Sequence, residues 1–194
     1  MVRHREIRFL IMAVIIVAVA LVLLLAGAVK ASAHYFDAQE QQKAEAHAAA
    51  EAARAAGFPE DHPIIVDAQA QWWTAQMDID RQLDLLTRVV WFEAGSNWLS
   101  DRHQQLVAQV VLNRVADPRF PDTMEGVVYA RGQYSCASRL YSIPWYRITQ
   151  RCYDNARAAA YGQVECPANV VYQSGVKQGK GLYEIHYNTY FCYG

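Results

Sequence analysis

The chain has 194 residues, room for one good domain plus appendages. Its 18 Lys and Arg against 19 Asp and Glu give a net charge of −1, which leaves no electrostatic footprint for nucleic acid. Hydrophobic content is 53 %, but much of it lies near the N-terminus and in an alanine-rich run, so the rest has ordinary globular composition.

Residues 9–29 form an uncharged, almost wholly apolar run, long enough to span a bilayer. Arg3, Arg5 and Arg8 precede it and only Lys30 follows closely. The positive-inside rule then makes residues 1–30 a single-pass transmembrane anchor with the C-terminal domain outside the cell membrane. The competing reading is a secretory signal peptide, with Ala31, Ser32 and Ala33 resembling a cleavage site. Either outcome exports the domain.

Residues 31–75 read as a helical stalk and linker. The stretch 34–56 is rich in Ala, Glu and Gln and lacks Gly and Pro, so helix propensity is high while large apolar groups are scarce. Gly57, Pro59 and Pro63 interrupt it. Residues 64–73 fit either a strand-like linker or a first short helix. The domain proper is expected over 76–194.

Ile79, Leu83, Leu86 and Val90 recur at helical spacing. The pattern ends on Trp91, Phe92, Glu93 and Ala94, with Gly95 as a helix stop. Glu93 then falls in a last turn, among aromatic rings. Desolvation by Trp91, Phe92 and Trp98 and the negative helix end would together favour the protonated acid that a general acid requires. The plain alternative is a solvated glutamate at a frayed end. Asn97 and Trp98, in the polar loop that follows, are candidates for the rim of a site.

A second helix is expected over 101–116, capped by Ser100 or Asp101, with Gln104 completing a capping box. Leu106, Val107, Val110, Val111 and Val115 give it a wide apolar stripe. Asn113, near its end, reads as a brace for a turn. Residues 117–122 form a proline-bearing turn and 123–129 a short helix. Gln133, Tyr134 and Ser135 then sit in a loop whose amide, ring and hydroxyl suit a sugar; the alternative is that Tyr134 is core. Residues 147–161 read as a third long helix stopped by Gly162, 169–174 as a strand, and 183–193 as two short strands around Tyr187, Asn188 and Thr189. The order, helices first and then a small antiparallel sheet, is α+β.

Cys136, Cys152, Cys166 and Cys192 contain no CxxC pair, which argues against a zinc ribbon. Exported, they would form two disulfides by default; in the cytosol they would be free thiols. The domain holds only His103 and His186, without HExxH spacing, which disfavours a metal peptidase. A GxSxG elbow and a phosphate-binding glycine loop are missing. Carboxylate chemistry with aromatic and amide groups around it points to glycosidic bonds. Ordinary glycosidases use two carboxylates, yet Asp101, Asp122, Glu125, Glu165 and Glu184 all lack the apolar setting expected for Glu93. A single acid acting on a substrate that supplies its own nucleophile fits better.

Several pieces from about residue 83 to 193 resemble the cell-wall hydrolase family typified by the spore cortex-lytic enzymes. They are Glu93 with Ala94, Gln104 with Val107 and Ala108, VVLNRV at 110–115, Phe120 and Pro121 with Thr123, VVY at 127–129, QYS at 133–135, and the closing Tyr190, Phe191, Cys192 and Tyr193. The resemblance implies a lysozyme-like α+β domain that cleaves peptidoglycan strands between N-acetylmuramic acid and N-acetylglucosamine without a cofactor. It makes Glu93 the acid/base of a lytic transglycosylase. Three features depart from the family: a loop about two residues longer between Glu93 and Gln104, Gly95 directly after Ala94, and Thr189 in place of a frequent histidine. The competing functions are a water-using muramidase, a non-catalytic wall-binding module and an amidase.

Overall fold

The computed structural model describes residues 35–194. The anchor or signal expected at 1–30 lies outside them. Helix α1 (Asp37–Ala55) is followed by a long α2 (Pro63–Ala94), α3 (Asp101–Ala116), a short α4 (Met124–Tyr129), 3-10 turns at Ala137–Ser142 and Trp145–Arg147, and α5 (Gln150–Ala160). Three strands close the chain: β1 (Val170–Ser174), β2 (Gly181–His186) and β3 (Thr189–Tyr193). Each pairs antiparallel with its neighbour in the order β1-β3-β2, so the α+β expectation holds.

The stretch expected to stand off as a stalk is helical, but it returns along α2. Short loops force neighbouring helices antiparallel, and alanine is what lets these two approach. Ala46, Ala50 and Ala53 on α1 are buried, as are Ile65, Ala68 and Ala75 on α2. With so little side chain between them the helix axes can sit close, and modest apolar area is offset by tight contact. Gln39 donates to Asp78 across the pair at 3.0 Å. At the start of α1 the backbone of Tyr35 bonds to Ala160, and Phe36 is fully buried beside Tyr161 at the end of α5. Position 75, the end of the expected linker, lies inside α2 without a break, because Pro63 at the first helical position starts the helix rather than interrupting it.

The apolar stripe at Ile79, Leu83, Leu86 and Val90 is buried as its spacing predicts. Leu85 and Val89, on the remaining faces, are buried too, so the last turns of α2 run through the middle of the domain. Leu106, Val107, Val110 and Val111 of α3, Val127 and Val128 of α4, and Cys152 and Ala156 of α5 complete one core with Val170 and Phe191 of the sheet.

Caps follow residue chemistry. Ser100, Thr123 and Thr149 each accept from a backbone N–H at the start of α3, α4 and α5. Asn113 does brace a turn: its amide donates to the carbonyls of Pro167 and Val170, both at 2.9 Å, fixing the entry to β1. The two-disulfide expectation is not met. All four cysteines are free thiols, distributed over the start of the first 3-10 turn, α5, the segment before β1, and β3.

Phe36→Ala should destabilise the protein by about 3–5 kcal/mol, read as a lower urea midpoint with an unchanged slope. A stalk independent of the domain would leave the midpoint where it is.

Candidate active site at the end of the central helix

The residue that closes helix α2, Gly95, has to be a glycine for a steric reason. The Gly95 N–H bonds to the Trp91 carbonyl at 2.9 Å, and a Cβ at Gly95 would lie 2.3 Å from that oxygen. Helix C-termini leave carbonyls without intrahelical partners. Here the buried amide of Gln104 donates to the Ala94 carbonyl at 2.9 Å. Gln104 Oε1 in turn accepts from Asn155 of α5 at 2.9 Å, and Asn155 also donates to Asp101 and accepts from Gln105. Gln104 is therefore no capping-box residue; Ser100 caps α3, and Gln104 clamps the end of α2 instead. Three helices meet on the residue next to Glu93.

Glu93 itself is exposed. The enclosure by Trp91, Phe92 and Trp98 expected from the sequence is absent. Trp91 and Phe92 are half-buried against the core, with their rings edge-on to each other at 4.9 Å. Trp98 is 63 % exposed and packs edge-on against Tyr187 at 4.6 Å. What fixes the Glu93 carboxylate is a thiol: Cys136, buried, donates its S–H to Glu93 Oε1 at 3.3 Å. Burial, with the carboxylate alongside, pushes the Cys136 thiol up to about 12, so it stays protonated and remains a donor. Nothing in the sequence pattern singled out Cys136 for this contact.

The QYS loop divides. Gln133 and Ser135 are exposed, three residues and one residue before the thiol that holds Glu93. Tyr134 is 6 % exposed and offers no face to a sugar. It packs on the buried guanidinium of Arg114, 5.3 Å from its ring, while Phe120 lies 5.5 Å from the same group. Arg114 donates to the Val171 carbonyl at 2.7 Å, joining this loop to the sheet. Burial also raises the Tyr134 phenol, with the Arg114 guanidinium beside it acting in the opposite direction.

Beyond Gly95, the loop with Asn97 and Trp98, both exposed, is tied to the tip of the β2–β3 hairpin. Tyr187 adopts φ 54°, uncommon for a residue with a side chain, and its hydroxyl donates to the Trp98 carbonyl at 2.6 Å. The hairpin is anchored below by the Arg102–Glu184 ion pair, with Tyr183 on Arg102 and His186 on Glu184 at 2.8 Å. Arg102 first, and then His186, hold the Glu184 carboxyl down to about 2. Asp101 is bound by Arg151 and Asn155, and Glu125 lies 3.3 Å from Arg81. These acids have positively charged partners of their own; Glu93 has the neutral thiol. A cleft of about 530 Å³, lined by Tyr35, Gln109, Asn113 and Cys166 among others, lies along α3 and does not include Glu93.

Gln104→Leu removes the donor to the Ala94 carbonyl, which should cost about 1–3 kcal/mol; a midpoint within error of the parent would show the clamp carries no energy. His103 is buried, its Nδ1 has no hydrogen-bond partner among the described residues, and burial followed by nearby His186 lowers it to about 4 from 6.5. Between those values the unfolded chain binds the extra proton, so stability should fall as pH drops from about 6.5 to about 4. His103→Phe should flatten that part of the melting-temperature profile, and an unchanged slope would assign it elsewhere.

Comparison with known proteins agrees with the motif order. Residues 100–175 match the model of the cell wall hydrolase family, a segment that begins past Glu93. No curated protein matches the chain. Among solved structures, the catalytic domain of the Bacillus cereus SleB protein aligns at 20 % identity and a TM-score of 0.48, covering 58 % of this chain and 90 % of that one. From α3 to the first strand, the chain is similar to the cell wall hydrolases.

Proposed function

We propose that the protein is a peptidoglycan glycosidase acting between N-acetylmuramic acid and N-acetylglucosamine, with Glu93 as its general acid/base. The observation that carries the reading is an open carboxylate on a backbone end clamped by Gln104 and held by a neutral donor, Cys136, whose own loop also carries the exposed Gln133 and Ser135. General acid–base catalysis needs a positioned group able to reach the proton it transfers. An exposed Glu93 is reachable by a polymer too large to enter a closed pocket, and the bound strand itself would exclude water from it.

The reaction we favour is lytic transglycosylation. Glu93 gives its proton to the glycosidic oxygen as the bond breaks. As a carboxylate it then takes the proton from the muramoyl 6-hydroxyl, which closes a 1,6-anhydro ring on the anomeric carbon. A nucleophile within the same sugar gains from its high effective concentration. Asp101, Glu125 and Glu184 each have an arginine partner of their own, which disfavours these three as the second carboxylate of a water-using muramidase. The N-terminal apolar run supports export and membrane anchoring of the domain, which would bring it to the wall.

Glu93→Gln should lower lysis of purified cell walls by at least about a hundredfold while leaving the unfolding midpoint near that of the parent. Undiminished turbidity loss would end the assignment. Mass spectrometry of the released fragments should show muropeptides lighter by one water; reducing ends of normal mass would mean a muramidase, and free stem-peptide amines an amidase.

A further inference from the structure

We propose that the segment following Cys136 is a binding platform for the peptide-bearing glycan strand, with its sugar faces on Tyr141 and Trp145 and its acidic stem peptides on the surrounding arginines. This deepens the reading above and rests on it for the choice of strand.

The segment runs back along the last turns of α2. Cys136 meets Glu93; Arg139 lies 5.7 Å from the ring of Phe92; Leu140 and Ile143 give their carbonyls to Arg88 at 3.0 and 2.8 Å. Glu93 and Arg88 are five residues apart on one helix, about 7.5 Å along its axis. The platform therefore begins at the proposed acid and continues away from it, as an extended polymer requires.

Arg88 explains why two aromatic rings can be both exposed and fixed. It is 8 % exposed and paired with Asp84 at 2.9 Å. Its guanidinium stands 4.6 Å from the ring of Tyr141 and 5.6 Å from that of Trp145. A cation behind each ring holds it. The rings nevertheless remain 57 % and 45 % exposed. Rings already held in place lose little freedom when a ligand stacks on them.

Charge selects the occupant. From residue 126 to 153 there is no Asp or Glu, but there are four arginines, in a chain whose net charge is −1. Arg151 is engaged with Asp101. Arg131, Arg139 and Arg147 are exposed and, among the described residues, form no ion pair. A neutral glycan would gain hydrogen bonds from them but no long-range attraction. A strand whose stem peptides carry carboxylates would be attracted, with a salt dependence typical of exposed charges.

The test is co-sedimentation of the full chain with purified sacculi, in the Glu93→Gln background so that digestion does not remove the ligand. Tyr141→Ala with Trp145→Ala should weaken binding about tenfold. Trp73→Ala, which removes a ring 61 % exposed on the N-terminal half of α2, should leave it unchanged. Arg131→Gln with Arg147→Gln, two surface changes that do not touch the core, should flatten the decline of binding between low and physiological salt. Equal binding by the double aromatic variant, equal loss in Trp73→Ala, or an unaltered salt profile in the arginine variant would each overturn the platform. Continued lysis in the Glu93→Gln background would instead defeat the catalytic assignment, and the binding comparison would then be read on ice, before digestion removes the sacculi.

Discussion

The arrangement depends on one buried amide. A helix of 32 residues ends in the middle of the domain, and its terminal carbonyls have no helical partner. Water cannot serve the Ala94 carbonyl where Gln104 is fully buried. Gln104 must therefore donate to it, and must itself be satisfied, which Asn155 accomplishes from α5. An unsatisfied member in such a network costs more than a satisfied one gains. That asymmetry locks α2, α3 and α5 into one register and leaves the residue before Ala94 with a defined position.

The same constraint explains how Glu93 can be exposed and still well placed. Position comes from the backbone below and from the Cys136 thiol at its side, so no walls are needed around the carboxylate. A buried thiol near this acid does not ionise at ordinary pH, so the contact is a donor and not a second negative charge. The sheet contributes through Arg114, which passes from α3 beneath Tyr134 to the Val171 carbonyl, and the hairpin reaches the opposite loop through Tyr187. The parts remote from Glu93 thus act on the two loops beside it rather than on the acid.

Periodicity and caps made most of the fold legible. The stripe on α2, the bounds of α3 and the three strands follow from spacing, stop residues and β-branched or aromatic runs, each a local signal. The return of α1 along α2 was hidden because alanine carries no strong apolar signature; its value lies in shape, which appears only when a second alanine face is brought against it. The setting of Glu93 was misread for a related reason. Neighbours in sequence suggested rings around the acid, but successive helical residues point about 100° apart, so Trp91 and Phe92 turn to the core while Glu93 turns out. Gln104 and Cys136 were beyond reach of sequence logic, since their partners lie 10 and 43 residues away.

Exposure of the acid also bears on what kind of substrate the protein can serve. A small sugar gains binding energy mainly by being enclosed, and no enclosure exists at Glu93. A polymer can draw on contacts spread along its length, each weak, provided that the surface beside the acid is continuous and rigid. The segment from Cys136 to Trp145 has that character, since it is pinned to α2 at Glu93, Phe92 and Arg88 in succession. An open acid on a long, pinned surface is poorly suited to a soluble disaccharide; under the proposed function it suits a strand fixed in a wall, where the acid must come to the bond and the bond cannot enter a pocket.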